Sequence, residues 1–341
     1  QFSYVDYRLR DIFKLDGDVL ILVRKFHDGK TAADDIERQF AELRKSFTKI
    51  VYFDDSAAAS VILFNIVPLV DKYWKRALLK DTSRYNKRLY GGHVFSDYYH
   101  KKYGLDDGEM TFYSPERTLE DFSKVRVAWN IGIGAFPTNK AHFQNVFYPQ
   151  FRRLVTGLTV LPSITPVAMV LKKFISDMQC ELEKEISLSD KQEVISARFG
   201  FSGYRESIGY QRRLFLERIY SSPHFLTGTL KRRDFTRETF HTIGVLSPFG
   251  WGEVCYRDFE AALGGALLIK PDMSHIETWP DIFSPSDCRS VDWDGDELLG
   301  LNEELISSGH LIVEQINLSR TKYALALCEA QNRAIDLIKE I

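Results

Sequence analysis

The chain has 341 residues, 44% of them hydrophobic and 27% charged, with a formal net charge of −2. That length supports two ordinary domains with a core each, and the composition is that of a soluble globular protein. The near-neutral balance excludes a general electrostatic drive toward nucleic acid, so no nucleic-acid partner is expected.

The start at Gln1, with no Met and no signal-like apolar core, reads as a trimmed N-terminus. Asp18–Val23 has the look of a buried strand. Ala32–Phe47 carries Ile36, Phe40, Leu43 and Phe47 at helical spacing. Ile50–Phe53 is the next strand, and Asp54-Asp55-Ser56 follow it. The apolar stretch Ala57–Val67 is interrupted by Pro68. Val125–Trp129 reads as another strand, running into the Gly-containing loop Asn130–Gly134. Strands alternating with helices imply a mainly parallel sheet covered on both faces.

Leu154–Leu171 has no charge and approaches the length of a spanning helix. Pro162 and Pro166 would break such a helix, so buried or interdomain structure is expected. A membrane-facing patch beside a lipid-linked acceptor is the other reading.

The second half repeats the logic. Glu193–Phe199 is a strand, Gly200–Gly209 a Gly-rich polar turn, and Tyr210–Tyr220 a helix. Ile243–Leu246 and Ala266–Ile269 are strands. Between them lies Gly250-Trp251-Gly252-Glu253, then a helix with Arg257 and Glu260 on one face, then Gly264-Gly265. A loop that opens a helix offers unpaired N–H groups and a positive dipole end, which suits a phosphate. An ordinary strand-loop-helix unit with a solvated arginine fits the same residues. Asp292, Asp294, Asp296 and Glu297 lack the EF-hand pattern and read as a surface turn with a helix start. Trp279 and Trp293 read as packing residues. Thr321–Ile341 is an amphipathic last helix, with Ala324, Cys328, Ile335 and Ile338 near one face. Cys180, Cys255, Cys288 and Cys328 are widely spaced without a Cys-x-x-Cys pair. They read as reduced, mostly buried thiols of a cytoplasmic protein, a disulfide between two of them being the other reading.

The segment Ser247–Ile269 resembles the C-terminal half of GT-B glycosyltransferases, and most of all the exostosin-like family. There a Gly-aromatic-Gly loop precedes an Arg-x-x-Glu-Ala helix, matched here by Gly250, Trp251, Gly252, Arg257, Glu260 and Ala261. Bacterial transferases of surface polysaccharide assembly carry similar segments. The resemblance implies an α/β fold of the GT-B type, two Rossmann-like domains facing across a cleft. Residues 1–180 would form the acceptor-side domain and residues 181–320 the nucleotide-sugar domain. Residues 321–341 would form a helix packing back on the first.

The implied activity moves a sugar from a nucleotide-sugar donor to a glycan or lipid-linked saccharide. It would be cytoplasmic, with peripheral membrane contact open. The exostosin resemblance implies inversion, and the large retaining GT-B group separates two Glu by seven residues. Here Glu253 and Glu260 have six between them. No Asp-x-Asp spacing is read as a metal site, the run Asp292, Asp294 and Asp296 being a surface turn, so no metal and no cofactor are expected. The leaving diphosphate then falls to Arg257 and to Arg205 in the Gly-rich turn, with Gly250, Gly252, Glu253 and Glu260 completing the donor side. Lys231-Arg232-Arg233 reads as a solvated patch. The acceptor base is drawn from Asp55, Asp54 and His93, in that order. A sugar-nucleotide epimerase on the same fold and a non-catalytic glycan-binding domain of a larger assembly enzyme are the rival classes.

Overall fold

The computed structural model describes residues 11–27, 32–108, 112–113, 122–133 and 165–341. The segment 154–164 of the uncharged run, and Gly134, lie outside them.

Two all-parallel sheets organise the chain. The first has the order β1-β2-β3-β7 (Gly17–Val23, Phe47–Asp54, Lys72–Lys75 and Val125–Val127). Its central strand β2 is deeply buried, as a strand sandwiched on both faces should be. β1 is at the edge instead of the interior. Val19, Ile21 and Val23 are exposed there, against the expectation of a buried strand. The helix expected over residues 32–47 is α1 (Ala33–Leu43), with Ile36, Phe40 and Leu43 buried and Asp34 and Asp35 in its first turn. Phe47 belongs to β2, because the chain turns at residues 44–46 before the strand begins.

Two further strands of the first half are β4 (Ala77–Leu79) and the short β5 (Leu89–Tyr90). β5 pairs with β6 (Phe112–Tyr113) and precedes α2 (Val94–Tyr103).

The helix α3 (Thr165–Leu182) spans residue 180. The second sheet follows, with the order β13-β11-β10-β8-β9 (Arg289–Val291, Leu267–Pro271, Thr242–Leu246, Gln192–Ser196 and Phe225–Leu226). The chain leaves β8 toward one edge and then builds β10, β11 and β13 on the other side. The strand order therefore reverses between β8 and β10. In open parallel sheets a ligand crevice lies beyond the C-terminal strand ends at such a reversal. The helix α4 (Glu206–Ile219) starts inside the expected polar turn, since Arg205 is its N-cap residue. The next helices are α5 (Arg232–His241) and α6 (Tyr256–Leu263). Gly265 ends the α6 turn with φ of 62°, a left-handed position that favours glycine.

The two α/β halves are tied directly. β12 (Ile276–Thr278) leaves the second half and pairs antiparallel with β4 of the first. After the short α7 (Leu301–Ser307), the last helix α8 (Gly309–Lys339) is far longer than the sequence suggests and spans about 46 Å. Ile312 and Ile316 pack in the core of the second sheet, while Tyr323 donates to the Gly132 carbonyl at 2.7 Å. Near its end Arg333 donates to the Val127 carbonyl at 2.6 Å, and Leu337 packs with Val51, Trp74 and Ala128. All four cysteines are free. Cys180 and Cys328 are exposed, against the expectation of burial. Among the described residues no helix is long and apolar enough to cross a membrane.

Candidate functional site

Four loops meet where the halves join. Two come from the first half: residues 55–60 after β2, and Gly91–His93 before α2. Two come from the second: residues 197–205 after β8, and residues 247–255 after β10. The second pair flanks the strand-order reversal.

The meeting is intimate. A Cβ on Gly252 would lie 2.0 Å from the Ala57 carbonyl oxygen, so only glycine fits. The Ala59 amide donates to Glu253 Oε2 at 3.2 Å. His93 places Nε2 3.1 Å from the Trp251 carbonyl and Nδ1 3.1 Å from the Gly91 carbonyl. Arg205 Nη2 donates to that same Gly91 carbonyl at 3.0 Å. Asn130 completes the join, donating to Thr278 Oγ1 at 2.9 Å and to the Pro280 carbonyl at 2.8 Å.

Each half stiffens its loops with a buried Asp–Lys pair that composition and spacing did not single out. In the first, Lys75 Nζ lies 3.2 Å from Asp54 and also donates to Ser56 Oγ and the Ala58 carbonyl. Arg24 and Tyr73 fill the remaining directions of the Asp54 carboxylate, at 2.9 and 2.6 Å. Burial alone would raise the Asp54 pKa. Lys75 and Arg24 outweigh it and hold the carboxyl well below the usual range. In the second half Lys270 Nζ sits 2.9 Å from Asp258 Oδ1. Asp258 also accepts from Ser247 Oγ and from the Cys255 amide, closing a capping box on α6. The only sequence signal for either lysine is a cation at or near the end of an apolar strand, in Tyr73-Trp74-Lys75 and Leu268-Ile269-Lys270.

The candidate bases occupy different environments. Asp54 is sealed, its carboxylate saturated by protein donors, which gives it a structural role. Asp55 stands beside it with a partly exposed carboxylate 3.6 Å from Arg76. His93 is buried, and burial pushes its imidazole below the ordinary value. Both ring nitrogens face carbonyls that can only accept, so a neutral ring can donate to one of them.

On the donor side, Arg257 is half-buried. Its Nη2 donates to the Arg198 carbonyl at 2.9 Å, while its buried Nε has no partner. Arg205 likewise keeps an unpartnered buried Nε. Glu253 is fully buried, with Oε2 on the Ala59 amide and Oε1 unpaired. Glu260 is gripped by Arg232, so that arginine is not merely part of a solvated patch. Burial raises the Glu260 pKa against the pull of Arg232 and Arg257. His275 carries two buried unpaired ring nitrogens, and burial lowers its pKa. Unpaired buried polar atoms are uncommon in native proteins. Here Glu253, His275, Arg205 and Arg257 bring both unpaired acceptors and unpaired donors to the region of the join.

The acidic run is more than a surface turn. Asp294 is buried and accepts from Tyr98, Lys102 and Tyr103, all on α2 of the other half. Trp293 packs as expected, against Tyr98, Phe249 and His275. Among the described residues no group of three or more His, Cys, Asp or Glu could hold a metal ion.

No protein-family model matches the sequence, and no curated protein matches it. Solved structures match over most of the chain. The structure of Anabaena HepE in complex with UDP and glucose is similar at 7% identity and a TM-score of 0.41, over 95% of this chain and 78% of that one. HepE in complex with UDP-glucose matches at 8% identity and 0.39, over 94% and 79%. An α,α-trehalose-phosphate synthase (UDP-forming) from Burkholderia vietnamiensis matches at 10% and 0.39, over 89% and 72%. Likeness of this degree assigns no activity and no residue role.

Proposed function

We propose that the chain is a metal-independent, inverting glycosyltransferase that uses a nucleotide-sugar donor and a glycan or lipid-linked saccharide acceptor. The observation that carries this reading is the pair Arg205 and Arg257. Each keeps a buried, unpartnered guanidinium nitrogen at the loops flanking the strand-order reversal. Two such cations at a crevice of this kind suit a diphosphate.

The roles follow from the chemistry. Asp55 takes the proton of the acceptor hydroxyl, whose oxygen attacks the anomeric carbon from the face opposite the diphosphate. The bond from that carbon to the diphosphate oxygen breaks, and negative charge grows on the leaving group. Arg257 and Arg205 neutralise that charge where it develops, which lowers the barrier. Glu253 Oε1 accepts from a hydroxyl of the donor sugar. Glu260 accepts from ribose hydroxyls, sharing its carboxylate with Arg232. His93 stays a positioning residue, because its ring is spent on the two loops it joins.

The test is nucleotide release from UDP-, GDP-, CDP- and dTDP-sugars, with EDTA present. Release from one donor class, abolished in Arg257→Ala and retained with EDTA, supports the reading. No release from any donor by a folded sample, with or without a mixed glycan acceptor pool, overturns it.

A further inference from the structure

Trp251 is 50% exposed, yet its backbone is held from several sides. Its carbonyl faces the His93 ring, Gly250 N donates to the Gly252 carbonyl at 3.0 Å, and Gly252 is pressed on Ala57. The indole is thus half open to water on a fixed loop, where a ligand can reach it. Tyr204 lies beside it, ring centroids 5.2 Å apart and planes 34° from each other. Tyr204 is itself backed by the Arg212 guanidinium, 4.8 Å from its centroid. Arg212 is buried and fixed by the Phe249 and Gly200 carbonyls, both at 2.7 Å. The Arg205 guanidinium closes one side, 5.9 Å from the indole.

We propose that Trp251 and Tyr204 form a stacking platform for a pyranose ring of the saccharide acceptor. The inference rests on the transferase reading and names the acceptor side of the same site. One face of a pyranose presents C–H bonds with partial positive charge, which settle on the negative face of an aromatic ring. The ring hydroxyls point outward, away from the aromatic face. The platform touches the first half of the chain through His93 and, by way of Arg205, Gly91. The donor-side contacts of Arg257 run the other way, to Arg198. Gly252, next to Trp251, lies against Ala57, two residues from Asp55, so the platform adjoins the loop that carries Asp55. The backing by Arg212 and the pinned Gly250–Gly252 backbone mean that little ordering entropy is lost on binding.

The test is ligand-observed saturation-transfer NMR on the full chain, with maltose, cellobiose and chitobiose as probes, beside calorimetry with UDP, GDP, CDP and dTDP. The platform predicts transfer to pyranose C–H protons of at least one disaccharide. Affinity falls about tenfold or more in Trp251→Ala and Tyr204→Ala and is held in Trp251→Phe, with nucleotide affinity unchanged in all three. Unchanged melting of Trp251→Ala guards against misfolding. Disaccharide binding that ignores Trp251, no binding of any disaccharide to the wild type, or loss of nucleotide instead of saccharide in Trp251→Ala each overturns the platform. Trp251-dependent saccharide binding with no nucleotide bound upholds the platform and defeats the transferase reading alone.

Discussion

Gly252 lies against Ala57 with no room for a side chain, a Cβ there falling 2.0 Å from the Ala57 carbonyl oxygen. The contact joins the loop after β10 to the loop after β2, so the two halves meet backbone to backbone at the site. Gly252→Ala must push the loops apart. Overpacking of this kind costs about 1–3 kcal/mol. The measurement is thermal unfolding, where a clear fall in melting temperature is expected. A melting temperature equal to wild type would contradict the close approach.

Asp54 anchors the first of those loops. Asp54→Asn leaves Lys75 buried without its counter-charge, a loss of about 3–5 kcal/mol. The sign of the pH effect follows from the depressed carboxyl. The group contributes stability that is fully present above its unfolded value of about 4 and is lost as pH falls toward the lower folded value. Denaturant unfolding between pH 7 and pH 2 should show the wild type losing stability on acidification, with a shallower slope in Asp54→Asn. Equal slopes would remove the assigned role.

Among the described residues, Arg257 is held by one hydrogen bond, to the Arg198 carbonyl. Arg257→Ala should therefore fold nearly as well as wild type. Its affinity for a nucleoside diphosphate should fall about 10- to 100-fold, the worth of a hydrogen bond to a charged group. Calorimetry with the cognate nucleotide decides, and unaltered affinity in a stable variant would remove Arg257 from the donor site.

Glu260 is held by Arg232, so Glu260→Gln keeps the shape and loses the charge. Nucleotide affinity should fall about tenfold while the melting temperature moves little. A large loss of stability with intact affinity would make Glu260 a structural partner of Arg232 only.

Much of the fold was legible because strands at buried positions are short apolar runs. Ile50–Phe53, Ile243–Leu246 and Ala266–Ile269 fall on β2, β10 and β11 within a residue or a few. The strand Lys72–Lys75 escaped because it begins and ends in lysine, and α2 because Val94–Tyr103 carries polar residues on buried positions, Ser96 and Asp97 among them. The long last helix was seen only from Thr321, since Gly309 and the polar residues after it weaken the pattern. At the site, Arg205 and Glu253 could be named from loop position, and Arg257 from its place at the start of the helix that follows and from the family resemblance. Their unpaired buried atoms could not, because pairing depends on contacts far away in sequence. Asp54 and Asp55 are neighbours with the same side chain. Only the arrival of Lys75, Arg24 and Tyr73 at one of them separates an anchor from a candidate base.

The most direct test of the transferase reading is a thermal-shift titration of the wild-type chain with UDP, GDP, CDP, CMP, ADP and dTDP, with and without magnesium. A ligand that binds only the native state raises the melting temperature. The account predicts a saturable rise with one nucleoside diphosphate in the absence of magnesium, lost in Arg257→Ala. A well-folded sample that no nucleotide stabilises would contradict it.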